Sequence, residues 1–154
     1  MPPPVKLKDI LEGLEFQSDE GSSYLNTTTG EVVYITQEDI WAVEQNKPVE
    51  NFPAWQQGMI RTAKNILETN HYLPLPTKFD IHEYRIMERF CHSVEDDDMR
   101  DDLCNAIRGR GAFRYFKGRI HAYGIADEWY RYRDEALKEI AIAWCEENGI
   151  HYTE

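Results

Sequence analysis

Positive charge is what this chain of 154 residues is short of: 17 Lys and Arg stand against 28 Asp and Glu, for a formal net charge of -11. Wrapping a duplex takes many phosphate contacts, so the deficit argues against broad, sequence-independent DNA binding. Cysteine is scarce as well. Cys91, Cys104 and Cys145 are widely spaced, odd in number and form no CxxC pair. That usage disfavours a disulfide framework and a cysteine-built zinc site, and suits reduced core thiols in the cytoplasm. No apolar run approaches the length of a membrane span, and the opening MPPPVKL lacks the apolar stretch and cleavage site of a secretory signal. A soluble, cytoplasmic protein without a membrane partner is therefore expected.

Recognisable metal and nucleotide motifs are missing too. His82-Glu83 begins like HExxH, but position 86 is Ile, which removes the zinc-protease reading. Arg108-Gly109-Arg110-Gly111 lacks the GxxxxGK[ST] pattern of a P-loop and follows a helical segment where that motif requires a strand. The run Glu95-Asp96-Asp97-Asp98 lacks the alternating ligands, central Gly and closing Glu of an EF-hand. No metal and no cofactor is expected.

What is present suffices for a core: 42% of residues are hydrophobic and 12% aromatic, which excludes a disordered chain. The length suits a single domain over residues 1–154, with frayed ends at about 1–5 and 150–154. Apolar periodicity predicts helices over residues 8–14, from Thr36 through Val43, and from Pro53 to Thr69 with Trp55, Met59, Ala63, Ile66 and Leu67 inward. Further helices are predicted over 81–92, after Ser93 with Met99, Leu103 and Ile107 inward, and over 127–148. Thr36 with Asp39, and Asp80 with Glu83, read as capping boxes; Phe79 and Tyr84 are placed for a staple. Residues 17–23 read as a polar connection. The strand signal is a hairpin, Tyr24-Leu25 and 31–35 around a loop ending in Gly30. In YLPLP (72–76) each proline biases its predecessor away from helix, so this segment is extended, with Leu73 and Leu75 filling the core. The fold class is α+β: mostly α with one β-hairpin, a compact multi-helix domain with a long C-terminal helix.

One stretch departs from the overall composition. No Asp or Glu lies between Asp102 and Asp127, yet Arg108, Arg110, Arg114, Lys117 and Arg119 do. Over residues 112–123, Phe113, Phe116, Ile120 and Tyr123 share one helical face, while Arg110, Arg114, Lys117 and His121 share the other. Such segregation creates a local positive field on a molecule that otherwise repels anions. The competing reading is a solvated face whose cations pair with acids of neighbouring elements.

The runs SSYLNTTTGEVV, LPLPTKFDIHEYRIMERF, IRGRGAFRYFKGRIHAYG and WYRYRDEALKEIAIAWCEENGI, in that order, resemble the bacterial uncharacterised protein family 0158 over about residues 5–150. The resemblance implies a small bacterial intracellular protein and carries over no catalytic residue, activity or cofactor. Function is therefore read from the residues. The leading expectation is a non-enzymatic module that binds a nucleotide or short RNA: Arg108, Arg110, Arg114, Lys117, Arg119 and His121 would meet phosphate, and Tyr115 or Tyr130 would stack on a base. The alternative is an interaction or regulatory adaptor that presents the same face and the hairpin edge to an acidic protein or to a second copy of itself. A third reading is a phosphodiester-directed hydrolase with His121 as general acid or base.

Overall fold

A computed structural model describes residues 3–154; Met1 and Pro2, within the stretch expected to fray, lie outside the described residues. The chain is α+β and mostly helical, with a small antiparallel sheet and a long C-terminal helix. It divides into two compact units, Met1–Ile81 with Ile140–Glu154, and His82–Glu139.

The first unit is built on a sheet of order β3-β2-β4. Strands β2 (Gly21–Asn26) and β3 (Val32–Thr36) form the expected hairpin, pairing Tyr24 with Val33 and Leu25 with Val32. β2 begins inside the segment expected to be a connection. On its other edge it pairs with β4 (Tyr72–Pro74), Leu25 against Leu73. Pro74 has no N–H to give a ladder, so β4 is confined to the sheet edge. Leu75 is buried as expected, whereas Leu73 is only half-buried.

Before the sheet, β1 (Val5–Lys6) leads into α1 (Leu7–Phe16). Gly13 lets α1 close on the sheet: a Cβ there would stand 2.6 Å from Leu75 Cδ2 and 3.0 Å from Val32 Cγ1. Where α1 ends, the buried Gln17 amide serves as a substitute ladder rung. Its Nε2 donates to Pro76 O at 2.8 Å and Leu75 O at 3.3 Å, and its Oε1 accepts from Ser23 N at 3.0 Å. A buried amide left unpaired costs about 1–3 kcal/mol, so these contacts make a polar residue tolerable inside the unit.

After β3 come α2 (Gln37–Glu44), a 3-10 turn at Val49–Asn51, and α3 (Ala54–Glu68). Thr36 caps α2 as expected, its Oγ1 accepting from Asp39 N at 3.2 Å. The buried Asp39 carboxylate accepts from Gln56 Nε2 at 3.0 Å, which joins α2 to α3. That polar tie sets the rotation of α3 and corrects its expected face. Ile60 and Ala63 point inward, while Trp55 is 80% exposed and Met59 and Leu67 are exposed. Residues 150–154, expected to fray, carry β5 (Tyr152–Thr153), which pairs in parallel with Val5–Lys6.

The helix expected over 81–92 is interrupted. Asp80 belongs to a box with Thr77, not Glu83: Thr77 N donates to Asp80 Oδ2 at 3.0 Å, and Asp80 N donates to Thr77 Oγ1 at 3.2 Å. This opens the short α4 (Lys78–Ile81), and α5 (Glu83–Ser93) starts separately. Between them His82 has φ 56° and is exposed, and Phe79 is 87% exposed, which leaves the expected staple unmade.

In the second unit α5 is followed by α6 (Asp97–Ala106), α7 (Ala112–Ala122) and the first part of α8 (Ala126–Glu147). Its centre is a ring cluster. Phe90 lies 6.0 Å from Phe116 and 5.4 Å from both Trp129 and Tyr132, with Phe116 4.9 Å from Trp129, all near edge-to-face. Asp96 caps α6, accepting from Met99 N at 2.9 Å, with Asp97 and Asp98 in the first turn, where carboxylates complement the helix dipole. On α8 the buried positions are Trp129, Leu137, Ala141 and Cys145, spaced by multiples of four, and Ala143 is exposed. Cys91 and Cys145 are core thiols, while Cys104 is only half-buried.

Candidate functional site

The turn between α6 and α7 is held at both ends. Ile107 is buried, and its carbonyl accepts from the Tyr84 hydroxyl at 2.9 Å. Gly111, at φ 74°, turns the chain into α7, a conformation that L side chains rarely adopt. No side chain caps α7 and no acid occupies its first turn, so the positive end of its dipole stays uncompensated beside Arg110.

Within α7 the side chains sort into three directions. Phe116 and Ile120 are fully buried, but Phe113, expected with them, is 39% exposed. Tyr123 is also turned outward, and its hydroxyl donates to Asp102 Oδ2 at 2.5 Å, a bond that holds the phenol above its ordinary pKa. Arg114, Lys117 and His121 share an exposed outward side. Tyr115 and Arg119 occupy the third side, towards α6. There, with Arg110, Gly109, Asn105 and Ala106, they line a cleft of about 320 Å³ that no acidic residue lines.

Of the basic residues singled out from the sequence, the cleft gathers Arg110 and Arg119, with Tyr115 as the aromatic. Arg114, Lys117 and His121 lie around the helix from it, Arg108 is exposed on the turn, and Tyr130 is exposed on α8; none of these lines the cleft. Among the described residues Arg108, Arg110, Arg114 and Lys117 form no ion pair. Arg119 does, with Asp102 Oδ2 at 3.4 Å from its Nη1. The cations are thus mostly unclaimed by the chain's own acids, with one exception.

Sequence reasoning missed Asn105 and Asp102. Asp102 was visible only as the last acid before the basic stretch. That it reaches both Arg119 and Tyr123 depends on the packing of α6 against α7.

Other concavities have a different character. One of about 300 Å³ in the first unit is lined by Asp9, Glu12 and Glu31 and repels anions. Another, of about 510 Å³, is lined by Leu75, Ile140 and Trp144 with Asp80 and Glu147 and holds no cation. Cys104 is no activated nucleophile: partial burial and Asp101 hold its thiol above the ordinary value, and its Sγ lies 3.7 Å from His92 Nδ1. Among the described residues no cluster of three His, Cys, Asp or Glu is placed to hold a metal ion, and no helix is long and apolar enough to cross a membrane.

Fold and cleft together define a mostly helical α+β protein with an arginine-lined, acid-free recess between two helices of one unit. The chain matches the model of an uncharacterised protein family, UPF0158, over residues 2–154 and belongs to that family. It is similar to UPF0158 protein PA5073 of Pseudomonas aeruginosa, 36% identical over 66 residues, a match spanning 42% of this chain and 43% of that relative's length. No solved structure matches.

Proposed function

We propose that this is a bacterial cytoplasmic, non-enzymatic binding module whose α6–α7 cleft takes the phosphate of a nucleotide or short RNA segment. The observation that carries the reading is the convergence of Arg110, Arg119 and the 58% exposed Tyr115 ring on one recess without a lining carboxylate. Guanidinium groups donate paired hydrogen bonds to phosphate oxygens, and an exposed aromatic face accepts a stacked base. His121 lies outside the recess, so no general acid or base is placed at the site and no hydrolysis is proposed.

Equilibrium titration with a fluorescent nucleoside monophosphate tests this. Binding is expected to weaken as salt shortens the screening length from about 10 Å at 0.1 M to about 3 Å at 1 M. A hydrogen bond to a charged group contributes about 1.5–3 kcal/mol, so Arg110→Ala or Arg119→Ala should weaken binding about tenfold to a hundredfold. Arg114→Ala, on the outward side, should cost less than about threefold, the scale of a screened surface charge. Binding that ignores both salt and the cleft substitutions refutes the site.

The unpaired outward row Arg114, Lys117 and His121 favours a second reading, in which that side of α7 docks on an acidic protein or on a second copy. Light scattering at low and high salt separates the two. Salt-sensitive association abolished by Arg114→Glu supports docking, and a monomer at every salt concentration removes self-association.

A further inference from the structure

The recess has a competitor built beside it. Asp102, one turn before Asn105 and Ala106 on α6, lies 3.4 Å from Arg119 Nη1, and its side chain is only 31% exposed. The Tyr123 hydroxyl donates to the same carboxylate oxygen at 2.5 Å and so holds it in place. Of the two guanidinium groups in the recess, Arg110 is unpaired and Arg119 is already matched to a single negative charge. A ligand that engages both must draw Arg119 away from Asp102 or share it.

Resting on the reading of the recess as a phosphate site, we infer that the Arg110 and Arg119 pair, with Asp102 as the competitor a ligand must displace from Arg119, favours a terminal phosphate monoester over an internal phosphodiester, and that the ligand is a nucleotide with a free terminal phosphate. At neutral pH a monoester carries about −1.5 to −2 charges, whereas a diester phosphate carries one. Coulomb attraction at a given distance scales with charge. A diester therefore offers Arg119 no more than Asp102 already does. A monoester offers about twice as much and displaces it. The exposed Tyr115 ring lines the same recess and provides a face for the base.

Competition titration of the full chain decides this with four probes: adenosine 5′-monophosphate, adenylyl-adenosine without terminal phosphate, ribose 5-phosphate and inorganic phosphate. The mononucleotide should bind about tenfold or more tightly than the diester, and its affinity should rise between about pH 5 and 7 as the second phosphate proton, of pKa about 6, is lost. Asp102→Asn keeps the shape and an acceptor for Tyr123. It should strengthen binding of both, and of the monoester at least as much as of the diester, because the repulsion it removes scales with ligand charge. Circular dichroism establishes that the variant is folded, and the pH profile of the unaltered protein tests the inference independently of it.

Equal binding of monoester and diester, or a folded Asp102→Asn that binds neither more tightly, overturns the inference while leaving a phosphate site. Ribose 5-phosphate or inorganic phosphate binding as tightly as the nucleotide overturns its nucleotide half. No binding of any probe removes the proposed site and the inference together.

Discussion

Gln17→Met keeps nearly the same side-chain volume and removes a single buried amide. In the native protein that amide accepts from Ser23 N at 3.0 Å and donates to Pro76 O at 2.8 Å, with a longer contact to Leu75 O at 3.3 Å. Water cannot readily replace it, because Gln17 is 4% exposed and Ser23 fully buried. Each orphaned group costs about 1–3 kcal/mol, and burying the thioether in place of an amide returns on the order of 1 kcal/mol. The net loss should be about 3 kcal/mol, or on the order of 10 °C in Tm for a chain of this length. Urea unfolding followed by circular dichroism measures the first, and a thermal melt the second. Amide hydrogen exchange should also accelerate at Ser23, whose N–H loses its acceptor. A variant within about 0.5 kcal/mol of the parent, with Ser23 exchange unchanged, would refute the view that Gln17 completes the edge of the sheet.

Phe116→Ala should cost about 3–5 kcal/mol, since it empties the centre of the ring cluster; a urea midpoint close to the parent's would show that the cluster is not the core of its unit. Alkylation of the folded protein with iodoacetamide at pH 8, read by mass spectrometry, should add one group, at Cys104. Burial, with a smaller contribution from the neighbouring Cys104, pushes the Cys91 thiol up to about 12, and burial pushes Cys145 up to about 11. Both folded values lie above the unfolded value of about 8.5. Their stabilising contribution is therefore complete below that pH and is lost as pH rises towards 11 to 12. Tm should fall above about pH 9, and a profile flat to pH 10.5 would contradict the assignment.

Local chemistry made much of the fold legible. Thr36 marked a helix start because a hydroxyl there reaches a free N–H three residues on, and the β-branched runs around residues 26–30 marked the hairpin. The failures came where a nonlocal partner decides. The Asp39–Gln56 bond fixes the rotation of α3, so Trp55 lies outside although its spacing suits an inward stripe. Thr77 satisfies Asp80 and isolates His82, where the sequence reads as one uninterrupted helix. Two prolines hid β4, which survives as an edge strand that needs few donors. For the candidate site, the basic stretch was visible from composition alone. Which cations converge was not, because Tyr115 and Arg119 share a recess with Arg110 only after α6 packs beside α7, and Asp102 joins them by the same packing.

Backbone amide shifts in an isotope-labelled sample titrated with adenosine 5′-monophosphate at low salt test the anion site most directly. Progressive, saturable shifts are expected at Asn105, Gly109, Arg110, Tyr115 and Arg119, absent in Arg110→Ala with Arg119→Ala. Shifts confined to the outward row at Arg114 and Lys117, or to the groove lined by Leu75 and Trp144, or a spectrum unchanged at millimolar ligand, would contradict it.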